Sequence, residues 1–380
     1  MKDNENRTAR VSFAALDPYV EHYIPSSKET KYHGSDIVYW GERNAFPDYL
    51  LDLYNNVATL GTIINGTVDF IAGDDVNILP LSPLYDAGVM NMKGDEIFQQ
   101  VVDIARDFLI YGGCAFEVIR GKDGKPLEVY HCDMRYLRTN EENDVFYYSE
   151  KWAKGGRDAL VMPAFSPQVT DKWDTLDDKE KARHLRSILY IKKNNTQVYP
   201  APVYRQALKS CETERGIDDF HLSSINNDFV ASMVVNFNNG QPSDEIRNEV
   251  EAMFNEKFSG HQNGGRIVFS WNDNAASRTT FDVPKVEDFG SRYEALAKHT
   301  RQQIYAAFRA VPALFGIMTE TTGFSDQEFE QAFRLYNRTV VRPIQRTIAN
   351  AYDRIYGQRG VLNITPFSID EGRQTDTMVN

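Results

Sequence analysis

Seven histidines and three cysteines carry the most versatile chemistry in this 380-residue sequence, and their spacing gives that chemistry little to work with. Cys114, Cys132 and Cys211 are far apart and form no C-x-x-C pair, so neither a disulfide framework nor a zinc knuckle is indicated, and a reducing compartment fits. His131 beside Cys132 is the nearest approach to a metal pair, but adjacent residues of a strand point to opposite faces. The acidic pairs Asp74-Asp75 and Asp218-Asp219 could feed carboxylates to a two-metal nuclease, yet both sit near expected helix ends or starts. In a first helical turn Asp218-Asp219 answers to the macrodipole. There is no G-x-x-x-x-G-K-[ST], no H-E-x-x-H and no G-x-S-x-G. The glycines and lysines of GKDGK (121–125) lack phosphate-loop spacing and read as a hairpin turn. The residues therefore name no catalytic group, no metal site and no cofactor.

Two other groups have spacing worth following. Arg334, Arg338, Arg342 and Arg346 recur every four residues, which places them on one face of a helix. A solvated face, salt bridges to a neighbouring subunit and contacts with DNA all remain open for them. The segment Met318, Thr319, Glu320, Thr321, Thr322, Gly323 lies between two helical patterns and has hydroxyls, one acid and no Lys or Arg. It offers phosphates only weak, reversible contacts, and a plain surface loop has the same composition.

The whole chain bears 54 acidic against 42 basic residues, a net charge of −12, whereas tight grip on nucleic acid normally needs a basic balance. At 42% hydrophobic and 12% aromatic the composition is that of a folded globular protein with a sizeable core. MKDNENRTAR has no apolar segment of a signal peptide, and no run approaches the roughly 18 apolar residues of a membrane span. The expectation is a soluble protein made in the cytosol.

Residues 1–35 are polar with scattered aromatics and read as an arm. Pro47 suits a first helical turn, and Leu50, Leu53, Val57, Leu60, Ile64, Val68 and Ile71 predict one helix that Gly73 stops. Residues 80–94 read as loop. A second helix is expected over 96–110, ended by Gly112-Gly113, and CAFEVIR and PLEVYHC predict a hairpin around GKDGK. VFYYSEKW and SILYIKK read as strands flanking a polar loop (153–184). Leu222, Ile225, Phe229, Met233 and Phe237 predict a long helix from Ile217 to NNG (238–240). A short helix from Ser243, a strand in GGRIVFSW and a helix over 286–309 follow. Pro312, Gly316 and Gly323 interrupt the next stretch, and Ser325-Asp326-Gln327-Glu328 reads as a capping box for a helix to about Ile355. Pro343 predicts a kink within it. The fold class expected is α+β.

The order of these pieces resembles the portal proteins of tailed phages across residues 37–357. FPDYLLDLYNNVATLGTIINGTVDFIAG resembles that family's first helix, IYGGCAFEVIRGKDGKPLEVYHCDMRYLR its wing strands, and TQVYPAPVYRQAL the approach to its long helices. VPALFGIMTETTGFSDQEFEQAFRLYNRTVVRPIQRTIANAYDRIYG matches in order a proline–glycine turn, a loop, and a helix with an internal proline: Pro312, Gly316, Ser325 and Pro343. Cys132-Asp133 stands where a family member often has proline.

The resemblance implies an N-terminal arm (1–36), a mixed α/β wing (37–216) and a stem helix (217–238). It further implies a small α/β clip (239–285), a second stem helix (286–315), a tunnel loop (316–324), a kinked helix (325–357) and a short crown or tail (358–380). Met318 to Gly323 would then lie near DNA, and Glu245, Arg247, Glu251, Lys257, Arg266 and Trp271 of the clip would dock terminase. The implied function is a homo-oligomeric ring, a dodecamer in the family, at a capsid vertex through which double-stranded DNA is packaged and ejected. DNA contact would be transient and sequence-independent. The implied partners are the terminase large subunit, a head-completion or adaptor protein, and the major capsid protein, with no membrane. The competing readings are a metal-dependent nucleic-acid enzyme, which requires carboxylates clustered in a pocket, and another virion part such as an adaptor or minor capsid protein.

Overall fold

The computed structural model describes residues 11–13, 24–32, 34–82, 84, 89–152, 155–156, 158–193, 197–226, 233–237, 243–246, 248–250, 267–271, 289–316 and 326–368. They fall into two compact units, one of Ile24–Glu212 with Thr300–Asn380, the other of Met1–Tyr23 with Thr213–His299.

In the larger unit, Pro47 occupies the first turn of the helix Phe46–Asn56, where its missing N–H costs nothing. The apolar stripe that predicts one long helix is divided in two, because Val57 is extended (φ −108°, ψ 107°) and a new helix, Ala58–Ala72, starts after it. At the break the Asn56 side-chain amide donates to the Asp52 carbonyl at 2.9 Å, a local bond of the kind that favours helix ends. Leu53 and Leu60, on either side of the break, are both fully buried. Gly73 ends the second helix at φ 69°, and the strand Leu362–Thr365 passes so close that a side chain at Gly73 would collide with the Thr365 carbonyl. The helix Ile97–Tyr111 ends at left-handed Gly112, as its glycines predict.

The hairpin around GKDGK is present, pairing Gly113–Arg120 with Pro126–His131, and Arg186–Lys192 completes an antiparallel three-stranded sheet. A five-stranded antiparallel sheet runs in the order Thr30–Lys31, Val38–Tyr39, Leu137–Thr139, Val145–Tyr148, Leu160–Pro163. Two expectations change here. The segment 153–184 is not simply a loop, since it supplies the edge strand Leu160–Pro163 and the helices Pro167–Asp171 and Asp178–His184. Nor is 1–35 only an arm, because Thr30–Lys31 is an edge strand of this sheet.

Near the C-terminus the helix Asp326–Tyr336 begins where the capping motif predicts, although Ser325 itself lies outside the described residues. The expected kink at Pro343 takes the form of a π-helical turn, Asn337–Val341, one turn earlier, and Pro343 sits in the first turn of the next helix, Arg342–Tyr356. A proline cannot donate to the ladder, and widening the preceding turn absorbs that loss. Phe70, Phe315, Phe333, Tyr336 and Phe367 pack edge to face around this junction, with Phe70 5.2–6.3 Å from each of the other four ring centroids.

In the smaller unit, the strand Ile267–Trp271 pairs antiparallel with Val11–Phe13 and parallel with Met233–Phe237. The helix expected over 217–238 is therefore corrected at both ends. Among the described residues it spans Leu208–Asn226, with Leu208–Glu212 in the larger unit, and Met233–Phe237 is a strand. MVVNF is β-branched and aromatic, and a pairing partner decides between two periods that so short a run both permits. Asp218-Asp219 consequently lies in mid-helix, exposed, and not in a first turn. The second long helix is Phe289–Phe308, whose residues from Thr300 onward belong to the larger unit.

Candidate functional site

The four arginines of the C-terminal helices separate into one and three. Arg334 precedes the π turn and pairs with Glu330 one helical turn away, at 3.2 Å. Arg338, Arg342 and Arg346 together line a concavity of about 430 Å³ with Pro343, Gln345 and Ala349. The wider turn at Asn337–Val341 shifts the register that the four-residue spacing implies.

Arg346 also borders a second, larger cavity of about 730 Å³ in the same unit, where it joins Lys192, Lys193 and Arg309. Phe108, Leu109, Val203, Phe308 and Ile344 supply apolar wall. Lys192 and Lys193 come from the end of the strand Arg186–Lys192, and Arg309 from the end of the helix Phe289–Phe308. The Lys192 ammonium is held by Asn143 Oδ1 at 2.6 Å and the Gln197 carbonyl at 2.7 Å. The protein crowded around Lys193, with the Arg309 guanidinium beyond, lowers the Lys193 pKa below the ordinary lysine value. Sequence reasoning missed this cluster; KK at 192–193 was its one local trace, and Arg309 and Arg346 lie over a hundred residues further on.

Met318 to Gly323, expected as a tunnel loop, lie outside the described residues, as do Arg247, Glu251, Lys257 and Arg266 of the expected clip. Glu245 lies in an exposed helical turn, and Trp271 closes the strand Ile267–Trp271.

The catalytic candidates resolve into structural contacts. Asp107 Oδ2 lies 2.8 Å from His131 Nε2 and accepts the Met134 N–H at 3.1 Å, while Cys132 is buried and its thiol pKa is pushed up by that burial. Asp74 accepts the N–H of Ser368, far along the chain, at 3.0 Å, and Asp75 the N–H of the adjacent Val76 at 2.9 Å. In GKDGK, the Gly121 N–H donates to the Lys125 carbonyl at 2.8 Å, the closure of a hairpin turn. Among the described residues no group of three or more His, Cys, Asp or Glu could hold a metal ion, and no helix is long and apolar enough to cross a membrane.

A family model described as phage portal protein matches residues 91–376. No curated protein matches the chain. Among solved structures, the chain is similar to one from the neck of an empty gene transfer agent particle computed with C6 symmetry, at 14% identity and TM-score 0.53, with 86% of this chain and 85% of that chain covered. It is similar at 14% identity and TM-score 0.52 to a chain of the native gene transfer agent virion, covering 91% of this chain and 87% of that one. A third, from the native particle neck computed with C12 symmetry, has 14% identity and TM-score 0.50, over 86% and 85% of the two chains. The α+β fold is thus that of these particle proteins.

Proposed function

This chain belongs to the phage portal protein family, and from that premise we propose that it assembles into a ring at a capsid vertex, through which double-stranded DNA enters and leaves the particle. The observation that carries this is the family match over most of the chain, from residue 91 to 376. The neck of a similar protein's particle was computed with C12 symmetry, which supports a twelve-fold ring.

On this reading the helices Leu208–Asn226 and Phe289–Phe308 contribute to the stem, and residues 239–285 to a clip that docks the terminase large subunit and later a head-completion protein. Met318, Thr319, Glu320, Thr321, Thr322 and Gly323 face the DNA. A loop of hydroxyls with a single acid lets phosphates pass without holding them. The major capsid protein surrounds the ring. The motor does the work and this chain has no catalytic residue. Neither the enzyme reading nor an adaptor or minor capsid role has an observation in its favour.

Native mass spectrometry of the purified full chain, with negative-stain images of the same sample, tests the reading. Closed rings of about a dozen copies with a central hole are expected. A chain that stays monomeric in the presence of its own scaffold and capsid proteins would overturn it.

A further inference from the structure

The cavity of about 730 Å³ is anomalous for an acidic protein, because its described lining contains four cations and no carboxylate. The chain as a whole has 54 acidic residues and 42 basic ones. Like charges gathered in a recess repel one another unless an anion joins them. Lys192 is already held by Asn143 and by the Gln197 carbonyl, and Lys193, Arg309 and Arg346 are the other cations of the lining.

Arg309 is the most informative of the three. Its N–H donates to the Ala306 carbonyl at 3.0 Å and the Ala310 N–H to the Tyr305 carbonyl at 2.9 Å, the crossed pair that closes a Schellman turn. The central residue of such a turn is left-handed, and Arg309 accordingly has φ 55°. The helices ending at Ala72, Tyr111 and Tyr356 are each followed by a glycine with positive φ. At Arg309 the backbone strain of a side chain is accepted instead, which points to a use for the guanidinium.

The walls narrow the choice of anion. Phe108, Leu109, Val203 and Ile344 give the recess an apolar lining that a peptide segment can bury, whereas duplex DNA presents its phosphates on a convex, hydrated surface. We propose that this cavity is a socket for an acidic peptide segment of a second copy of the chain. This rests on the ring reading, which supplies the second copy. An acidic excess on each copy opposite a recess whose described lining is basic makes the two surfaces complementary, and such complementarity fixes register between subunits.

Zero-length carbodiimide coupling tests the socket in the assembled full-length protein, formed from a mixture of light and heavy isotope-labelled chains. It joins an amine only to a carboxylate in contact with it. Lys193 is expected to couple to an Asp or Glu of the other isotope. Coupling confined to one isotope, or none at Lys193, overturns the proposal.

Two variants give an independent reading. Arg309→Gly relieves the left-handed strain, so its melting temperature should equal or exceed that of the wild type, while association weakens at least about tenfold at each interface. Lys193→Gln should likewise lower the salt concentration at which rings dissociate. Wild-type rings alongside variant rings of unchanged salt resistance overturn the socket alone. Unchanged rings with weakened binding of a short DNA duplex also overturn it and assign the cavity to DNA. A wild-type chain that never associates overturns the ring reading and the socket together.

Discussion

The hydroxyls of Thr67 and Tyr336 meet at 2.7 Å inside the core of the larger unit, although 269 positions separate them in the sequence. Thr67 also lies 2.6 Å from the Ile63 carbonyl, to which it donates, so the Tyr336 O–H donates to Thr67. This contact ties the end of the helix Asp326–Tyr336, where the π turn begins, to the middle of the helix Ala58–Ala72. Tyr352 does the same one element later, donating to Gln100 Oε1 at 2.6 Å.

Tyr336→Phe removes a donor and leaves Thr67 bonded to Ile63, so it should cost about 1 kcal/mol in denaturant unfolding. Thr67→Val instead strands the buried Tyr336 hydroxyl and should cost more, about 1–3 kcal/mol. The hydrogen-bond account is wrong if the order is reversed.

Gly66 is where the helix Ala58–Ala72 lets Phe315 approach, since a Cβ there would lie 2.8 Å from Phe315 Cδ1. Alanine favours helix by about 1 kcal/mol over glycine, yet overpacking of this kind costs about 1–3 kcal/mol. Gly66→Ala should therefore be neutral to destabilising, and the double variant with Phe315→Leu should regain the helix-propensity benefit. Equal stabilisation by Gly66→Ala in both backgrounds would show that Phe315 exerts no steric limit.

Arg138 is buried, and its hydrogen bonds go to neutral acceptors: Asn44 Oδ1 and the carbonyls of Asn44, Arg135 and Leu137. Its guanidinium also lies 5.1 Å from the Trp152 ring centroid and 5.9 Å from that of Trp40. A lysine ammonium cannot reproduce this planar fork and would be left poorly solvated. Arg138→Lys is expected to cost about 2 kcal/mol or more in thermal or chemical unfolding, despite preserving the charge. A cost within about 0.5 kcal/mol, the range of an ordinary surface substitution, would sink the idea.

His131 titrates in a mostly buried position. Burial by itself lowers its pKa, but Asp107, through charge and hydrogen bond, more than offsets this and the net shift is upward. A folded-state pKa above the unfolded value of about 6.5 makes protonated His131 stabilising below that pH, and the contribution fades as pH rises through the folded value. The stability lost in His131→Gln should thus be larger at about pH 5.5 than at about pH 8.5. Urea titrations of both proteins at the two pH values read this directly, and a loss that grows with pH contradicts it.

Phe220, Leu222 and Leu296 expose 44%, 59% and 42% of their surfaces on the long helices of the smaller unit, and Phe220 stacks on Tyr293 at 5.1 Å. If these faces meet neighbouring subunits in the ring, Leu222→Asp and Leu296→Asp should change the melting temperature little while reducing ring formation in native mass spectrometry. Rings as abundant as those of the wild type would place the subunit contacts elsewhere.

What could be read before folding came from residues that act on their own neighbourhood. Pro47 opens a helix, Gly73 and Gly112 end helices, GKDGK turns a hairpin, and the helix after residue 325 starts where the capping motif says. The order of these signals was enough to place the chain beside the portal family, whose model matches residues 91–376. Each signal rests on backbone geometry or a hydrogen bond within a few residues, so the sequence by itself determined them.

The remainder depended on partners far along the chain. Met233–Phe237 becomes a strand because Ile267–Trp271 lies beside it, and the row of four arginines divides because the π turn before Pro343 shifts their register. The basic cavity assembles Lys192, Lys193, Arg309 and Arg346 from three separate segments. No local pattern records which distant segments will pack together. That choice is made by burial of the shared apolar core, and only the tertiary structure decided it.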